Sequence, residues 1–172
     1  MTSEPTPPVR ARDPVEEAAR HWAERYPEAP RFRALTSLVR AYGVAVREVE
    51  ALLRPLDLNL SRFEILLVLS FSRRGRLPIS RLRHALMIHG SSVTYLVDRL
   101  EEAGLVERGT DRHDRRVVLV SLTDTGRETI DRACEVLCEG EFGALTTLDD
   151  DRLDLMAGLL NDLRGGNGDG SS

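Results

Sequence analysis

The chain is poor in several residue types, and each shortage argues against a class of protein. No run of about 18 uncharged apolar residues occurs, which argues against a membrane span. The N-terminus holds Pro, Glu and Arg rather than an apolar run, which argues against a secretory signal. With two cysteines, Cys134 and Cys138, a disulfide framework is not expected, so the cytoplasm is the expected location. Lysine is absent, and all 24 basic residues are arginine.

Apolar and charged residues are abundant by contrast. The 172 residues are 41% hydrophobic and 30% charged, which suits one compact domain with a sizeable core. Aromatic residues make up 5%, leucine is frequent, and runs of β-branched residues are few. This composition predicts a mainly helical fold.

Charge is unevenly placed along the chain, although the net charge of −4 argues weakly against a nucleic-acid partner. Residues 65–97 carry five arginines and no acidic residue, whereas residues 123–172 carry four arginines and twelve acidic residues. Because a local field decides whether a surface accepts phosphate, the block at 65–97 is a candidate contact with nucleic acid. The alternative is a solvated pair of arginine-rich helices.

Helical periodicity and capping residues divide the chain into an N-terminal extension at 1–31, a main domain at 32–165 and a flexible tail at 166–172. Residues 1–12 have the composition of a disordered tail. Asp13 is the expected cap of a first helix, which Pro27 and Pro30 end. Outside the centre of the main domain, the predicted helices span 13–26, 32–53, 60–71, 124–145 and 149–164. Either Asn59 or a box of Ser61 and Glu64 caps the third of them.

The centre of the main domain changes pattern twice. Two short helices, marked by Ile79, Leu82 and Leu86 and then by Val93, Leu96, Val97 and Leu100, are typical of a helix-turn-helix. Two strands follow, at 105–108 and 117–122, with a polar loop between them. A helix-turn-helix followed by a basic hairpin predicts a winged helix.

The outward side of the second short helix and the hairpin loop carry the residue types that DNA binding needs. Small hydroxyl groups near a helix N-terminus suit phosphate oxygens, and Tyr95 and Arg99 are long enough to reach a groove. An arginine on a thin hairpin suits a narrow minor groove, and Asp114 is expected to hold the guanidinium of Arg116. The candidate DNA-binding residues are Ser91, Ser92, Thr94, Tyr95, Arg99, Arg112, Asp114, Arg115 and Arg116.

Three segments together resemble the MarR family of bacterial transcription regulators. They are Tyr95-Leu-Val-Asp-Arg-Leu-Glu-Glu-Ala-Gly-Leu-Val-Glu-Arg, Asp114-Arg-Arg and Leu122-Thr-Asp-Thr-Gly-Arg, spaced without a gap. Leu69-Ser-Phe-Ser-Arg-Arg-Gly-Arg-Leu-Pro and Leu86-Met-Ile-His are similar to actinobacterial variants. The resemblance covers about residues 32–164.

The resemblance implies a homodimer in which N- and C-terminal helices interlock and two winged domains read a pseudo-palindromic operator in double-stranded DNA. It places Ser91, Ser92, Thr94, Tyr95 and Arg99 on the recognition helix. It makes Arg116 the minor-groove arginine and Asp114 its partner. Many members have arginine at the position of Tyr95. A tyrosine cannot form the two hydrogen bonds to guanine that arginine forms, so the expected base preference changes.

The resemblance also implies a small effector, often phenolic or acidic, that releases a repressor from its operator. Trp22 lies in a segment similar to the N-terminal extension of urate-responsive members, but Glu64 stands where those have Asp, so urate is not inferred. The candidate pocket residues are Trp22, Phe32, Tyr42, Phe63 and Glu64, whose alternative roles are core packing and helix capping.

Two other functional classes were weighed. An enzyme needs a nucleophile, a base and an orienting group, and the sequence offers no recognisable set of these, no phosphate loop and no metal-binding spacing. No enzyme activity, cofactor or metal is therefore expected. A protein-interaction module on the same fold, without specific DNA binding, is the alternative that the substitution at Tyr95 and the acidic C-terminal helices keep open.

Overall fold

The computed structural model describes residues 13–86, 90–111, 114 and 116–165. The predicted tails at 1–12 and 166–172, and the wing residues Arg112 and Arg115, lie outside the described residues. The helices are α1 Pro14–Ala23, α2 Ala29–Leu53, α3 Leu60–Ser70, α4 Ile79–Leu86, α5 Gly90–Glu102, α6 Asp124–Glu139 and α7 Asp150–Gly165. Short 3-10 turns span Arg54–Leu56 and Gly143–Thr147, and the strands are β1 Arg76–Pro78, β2 Val106–Thr110 and β3 Val118–Leu122. The mainly helical prediction is confirmed.

Two compact units divide the chain, at Met1–Val44 and Ala45–Ser172. The division falls inside the long helix α2. The expected boundary between an extension and a main domain at 31–32 stays a prediction.

The described part of the first unit contains α1 and the start of α2. Asp13 caps α1, since its carboxylate accepts the backbone N–H of Val15 at 2.9 Å. The expected break at Pro30 was wrong, because α2 already begins at Ala29 and holds this proline in its first turn. Proline is tolerated there because the first N–H groups of a helix have no intrahelical acceptor.

In the second unit, α3 provides the centre of the core. Asn59 is the cap, because its side-chain oxygen accepts the N–H of Arg62 at 2.9 Å, which decides between the two predicted caps. The core packs α3 against α4, α5, α6 and the sheet. Its fully buried side chains include Leu53, Ile65, Leu66, Leu69, Leu82, Val93, Val97, Leu100, Val120, Ile130 and Leu137.

The wing is part of a three-stranded antiparallel sheet in the order β1-β3-β2. Sequence reasoning predicted β2 and β3 but missed β1, a three-residue strand that pairs Arg76 with Ser121 and Pro78 with Leu119. A strand this short has no periodicity of its own. It forms because β3 offers an open edge to the chain that leads into α4.

Helix α6 begins where expected and ends early. Thr123 caps it by accepting the N–H of Gly126 at 2.9 Å. The prediction that it runs to residue 145 was wrong, because the helix stops at Glu139. Glu141, Phe142 and Gly143 then adopt positive φ angles, which no α-helix continues through.

Candidate nucleic-acid interface

Helices α4 and α5 form the predicted helix-turn-helix. Val93, Val97 and Leu100 turn one side of α5 into the core, where none of them is exposed. The guanidinium of Arg83 on α4 donates to the hydroxyl of Thr94 on α5 at 3.3 Å. Core packing and this hydrogen bond to α4 fix the orientation of α5. The opposite face of α5 therefore points away from the core.

Three of the candidate recognition residues are as exposed as the 3.6-residue period predicts. Ser92, Tyr95 and Arg99 are exposed, and Thr94 is half-buried. Ser91 lies in the first turn of α5, where free backbone N–H groups favour an anion.

Tyr95 and Arg99 contact each other on this exposed surface. The Arg99 guanidinium carbon lies 5.3 Å from the centre of the Tyr95 ring, within cation–π range. Its Nη1 also lies 2.6 Å from a carboxylate oxygen of Glu102. The hydrogen bond with Tyr95, followed by the charge of Glu102, raises the pKa of Arg99. Reaching a base would therefore require Arg99 to exchange these partners.

The described part of the wing loop is organised by aspartates. Asp114 accepts the backbone N–H of Arg116 at 2.9 Å, and the N–H of Asp114 lies 3.3 Å from a carboxylate oxygen of Asp111. The expected pairing of Asp114 with the Arg116 guanidinium stays a prediction. Two residues of separation let an aspartate close a turn on the backbone, and the side chain of Arg116 is exposed.

The basic block at 65–97 is divided between two places. Arg81 and Arg83 lie on α4, and the other three arginines lie in β1 and the turn before it. That turn is at the end of the sheet away from the wing loop, because Leu122, the last residue of β3, donates its N–H to Gly75 at 2.8 Å. Three of the five arginines of the block therefore lie toward the end of the sheet opposite the wing loop.

Sequence reasoning missed Arg108 on β2. Its guanidinium contacts two carboxylates of α5, Asp98 and Glu101, each at 2.6 Å. Partial burial lowers the pKa of Arg108, but hydrogen bonds and charges from both acids outweigh it and raise the pKa. The available signal was a pair of acids one helical turn apart, followed by an arginine on the next strand.

The candidate pocket residues are divided between the two units. In the first unit, Trp22 stacks on Phe32 with ring centres 4.3 Å apart, and its Nε1–H donates to the carbonyl of Pro27 at 2.8 Å. Tyr42 is exposed.

In the second unit, Phe63 is buried in the core, which is the alternative role considered for it. Glu64 is half-buried, and burial raises the pKa of its carboxyl group. Their assignment to a ligand pocket stays a prediction.

The described residues show neither a metal-binding cluster nor a membrane-spanning helix. Among these, no cluster of three or more His, Cys, Asp or Glu side chains is arranged to hold a metal ion. No described helix has the length and apolar character needed to cross a bilayer. Cys134 is half-buried and Cys138 exposed, and burial followed by the neighbouring Cys138 raises the pKa of the Cys134 thiol.

Comparison with known proteins identifies the family of this chain and the general function of that family. Residues 56–117 match the model of the MarR family. The transcriptional repressor IacR of Pseudomonas putida is 32% identical over 122 residues, a match that covers 69% of this chain and 72% of that protein. The chain belongs to the MarR family. It is a DNA-binding transcriptional regulator and not an enzyme, as the sequence predicted.

Solved structures agree with this assignment to the MarR family. Sco5413, a MarR family regulator from Streptomyces coelicolor, is 35% identical with a TM-score of 0.76, and the match covers 84% of this chain and all of that one. CouR from Rhodococcus jostii, solved bound to p-coumaroyl-CoA, is 26% identical with a TM-score of 0.64. That match covers 73% of this chain and 87% of CouR. The predicted winged helix-turn-helix fold is confirmed.

Proposed function

We propose that this MarR-family regulator is a homodimeric repressor that binds a pseudo-palindromic operator. Helix α5 enters the major groove through Ser91, Ser92, Thr94, Tyr95 and Arg99. The wing enters the adjacent minor groove through Arg116, flanked by Arg112 and Arg115. The observation that carries this proposal is the helix-turn-helix and the wing hairpin within one packed unit, each with exposed polar side chains of the kind that contacts DNA.

Exposed apolar surface supports the homodimer. Leu155, Leu159 and Leu163 repeat every four residues on α7, and each is at least 58% exposed. In the first unit, Leu35, Val39 and Tyr42 are at least 62% exposed on α2. Apolar stripes of this kind on terminal helices are typical of surfaces that a second subunit covers.

The deciding experiment is binding of the purified protein to its own upstream intergenic DNA, compared with scrambled DNA at two salt concentrations. We expect protection of a pseudo-palindrome with half-sites about 10 bp apart, and affinity that falls as salt rises. Arg116→Ala should weaken operator binding about tenfold or more, because charge and minor-groove fit are lost together. Unchanged affinity of that variant would contradict the role given to the wing.

The contacts of Arg99 favour a second candidate function, a protein-interaction module without specific DNA binding. An arginine already engaged by Tyr95 and Glu102 is less available to a base. This alternative predicts no protection of the upstream DNA even at low salt. Tyr95→Ala discriminates further, since a base-reading tyrosine should change sequence preference more than non-specific affinity.

A small aromatic or acidic effector completes the proposal. The stack of Trp22 on Phe32 offers an aromatic surface, and the similar protein CouR was solved with an aromatic CoA ester. Trp22 is the chain's only tryptophan, so tryptophan fluorescence reports on its surroundings, which include the rings of Phe32 and Tyr26. Saturable quenching by p-coumarate or p-coumaroyl-CoA, lost in Phe32→Ala and accompanied by release of DNA, would support the effector. Release without quenching would place the ligand elsewhere.

A further inference from the structure

Arg108 joins the wing to the recognition helix through several contacts. Its Nη2 lies 2.6 Å from Asp98 Oδ1 and donates to the carbonyl of Thr94 at 3.3 Å. Its Nη1 lies 2.6 Å from Glu101 Oε2, and its backbone N–H donates to the other oxygen of that carboxylate at 3.1 Å. One residue of β2 thus contacts α5 at positions 94, 98 and 101, which span about two helical turns.

These contacts differ from the other ion pairs shorter than 3 Å among the described residues. Arg99–Glu102 and Arg132–Glu135 each join residues three apart on one helix, so they cannot relate one element to another. The side chain of Arg108 is also only 25% exposed, compared with 52% and 54% for those two arginines. A shielded guanidinium held by two carboxylates and a carbonyl has a fixed geometry, whereas exposed pairs exchange freely with water.

The position of Arg108 in the hairpin lets these contacts restrain the orientation of the wing tip. Side chains alternate along a strand, so Arg108 lies on the same face as Val106, which is buried in the core. Arg108 pairs with Val120, which is also fully buried, whereas Gly109, Thr110 and Val118 toward the loop are exposed. A two-stranded hairpin is marginal by itself and would pivot beyond the last packed residue. The contact with α5 therefore restrains the hairpin at the last packed pair before its exposed tip.

We propose that Arg108 is a positioning residue for DNA recognition, which sets the orientation of the wing relative to α5 without itself touching DNA. It keeps Arg116 in register with the groove next to the one that α5 occupies. This inference rests on the proposed function, in which α5 and the wing enter neighbouring grooves.

A simpler role for Arg108 would be to add positive charge near DNA, and two variants separate the roles. Arg108→Met removes one positive charge, whereas Asp98→Ala combined with Glu101→Ala removes two negative charges. If charge alone matters, the first variant weakens DNA binding and the second strengthens it. If positioning matters, both release the wing and both weaken operator binding.

The experiment uses the full chain and an operator fragment selected from random-sequence DNA. We expect both variants to bind the fragment about fivefold or more weakly, and to lose wing protection against hydroxyl-radical cleavage. Protection of guanine N7 from dimethyl sulfate by α5 should remain. Arg108→Lys keeps the charge but not the two-pronged geometry, so it should restore only part of the loss. Arg132→Met, which breaks an ion pair within α6, should bind as the wild type does.

A double-mutant cycle with Arg116 gives the sharpest readout. Arg116→Ala should cost about tenfold in the wild type but about twofold or less in the Arg108→Met background, because a released wing has already lost most of its contact. A merely structural role of Arg108 would leave the cost of Arg116→Ala the same in both backgrounds. Opposite effects of the two charge variants, or an additive cycle, would overturn the proposal.

Amide hydrogen exchange of free protein separates failure of this inference from failure of the proposed function. Backbone amides of β2 and β3 beyond Val106 should exchange faster in Arg108→Met than in the wild type, while those of α3 should not change. If the wild type protects no DNA, the proposed function fails, yet exchange still tests whether Arg108 holds the wing. Unchanged exchange would overturn the inference even for a protein that binds DNA. Should Arg108→Met fail to fold, Arg108→Lys and the doubly substituted acid variant carry the same comparisons.

Discussion

The winged-helix core of the second unit and helix α7 of that same unit use leucine in opposite ways. In the core, Leu66, Leu69 and Leu100 are completely buried by α3, α5 and their neighbours. On α7, none of the residues is buried, and three leucines are at least 58% exposed. Leucine thus fills the core within one chain, whereas on α7 it remains exposed and, in the proposed homodimer, is covered by the second subunit. Stability of the core should therefore not depend on protein concentration, whereas the state of α7 should.

The largest expected effect on stability comes from Gly126, where helix α6 packs against the winged-helix core. A Cβ at this position would lie 1.9 Å from the carbonyl oxygen of Leu105, which is backbone and cannot rotate away. Alanine gains about 1 kcal/mol in helix preference, which is small beside a clash on the order of 4 kcal/mol. Gly126→Ala should therefore lower the free energy of unfolding by several kcal/mol in urea titrations followed by circular dichroism.

Gly158→Ala on α7 is the matched control for Gly126→Ala. Nothing lies within 4 Å of the added methyl group there, so stability should stay the same or rise by up to about 1 kcal/mol. An unchanged urea midpoint for Gly126→Ala would mean that α6 does not rest on Leu105 in solution.

A smaller effect, on association rather than on folding, is expected at Leu159 in the exposed leucine stripe of α7. If a second subunit covers the α7 stripe, Leu159→Asp removes about 2–3 kcal/mol of apolar burial from association and leaves the core intact. Sedimentation should show monomers at concentrations where the wild type is a dimer, with helical content retained. Asn161→Asp adds the same charge to α7 off the stripe and should stay dimeric. Dimers of Leu159→Asp would place the interface elsewhere.

The N-terminal cap of α3, at the margin of the winged-helix core, can be tested by substituting Asn59 and Ser61. Asn59→Ala removes the acceptor for the N–H of Arg62 and should cost about 1 kcal/mol of unfolding free energy. Ser61→Ala removes the residue that sequence alone offered as an equal candidate, and it should cost less than Asn59→Ala. Equal losses in thermal unfolding would show that both side chains share the cap.

The smallest effect concerns Glu64, a half-buried acid on α3 at the margin of the core. Burial raises the pKa of its carboxyl group above the unfolded value, so its favourable contribution is present at low pH and is lost as pH rises through the folded pKa. Glu64→Gln should therefore be slightly more stable than the wild type at neutral pH and no more stable below about pH 4. A variant less stable at neutral pH would indicate that the ionised carboxylate has a stabilising partner.

Local patterns carried most of the fold prediction. Helical period and caps such as Asp13 and Thr123 placed the helices, because these signals act between residues a few positions apart. The early end of α6 was missed because apolar and charged spacing continues past Glu139, while the backbone turns through positive φ angles.

For the candidate interface, the sequence by itself determined which residues of α5 face outward, because the helical period must turn Val93, Val97 and Leu100 inward. It also gave the order of helix, turn, helix and hairpin that the MarR family shares. Tertiary structure alone decided that β1 joins the sheet and that Arg108 reaches back to Asp98 and Glu101. These contacts depend on distances between elements, and such distances are set by packing and strand register rather than by spacing along the chain.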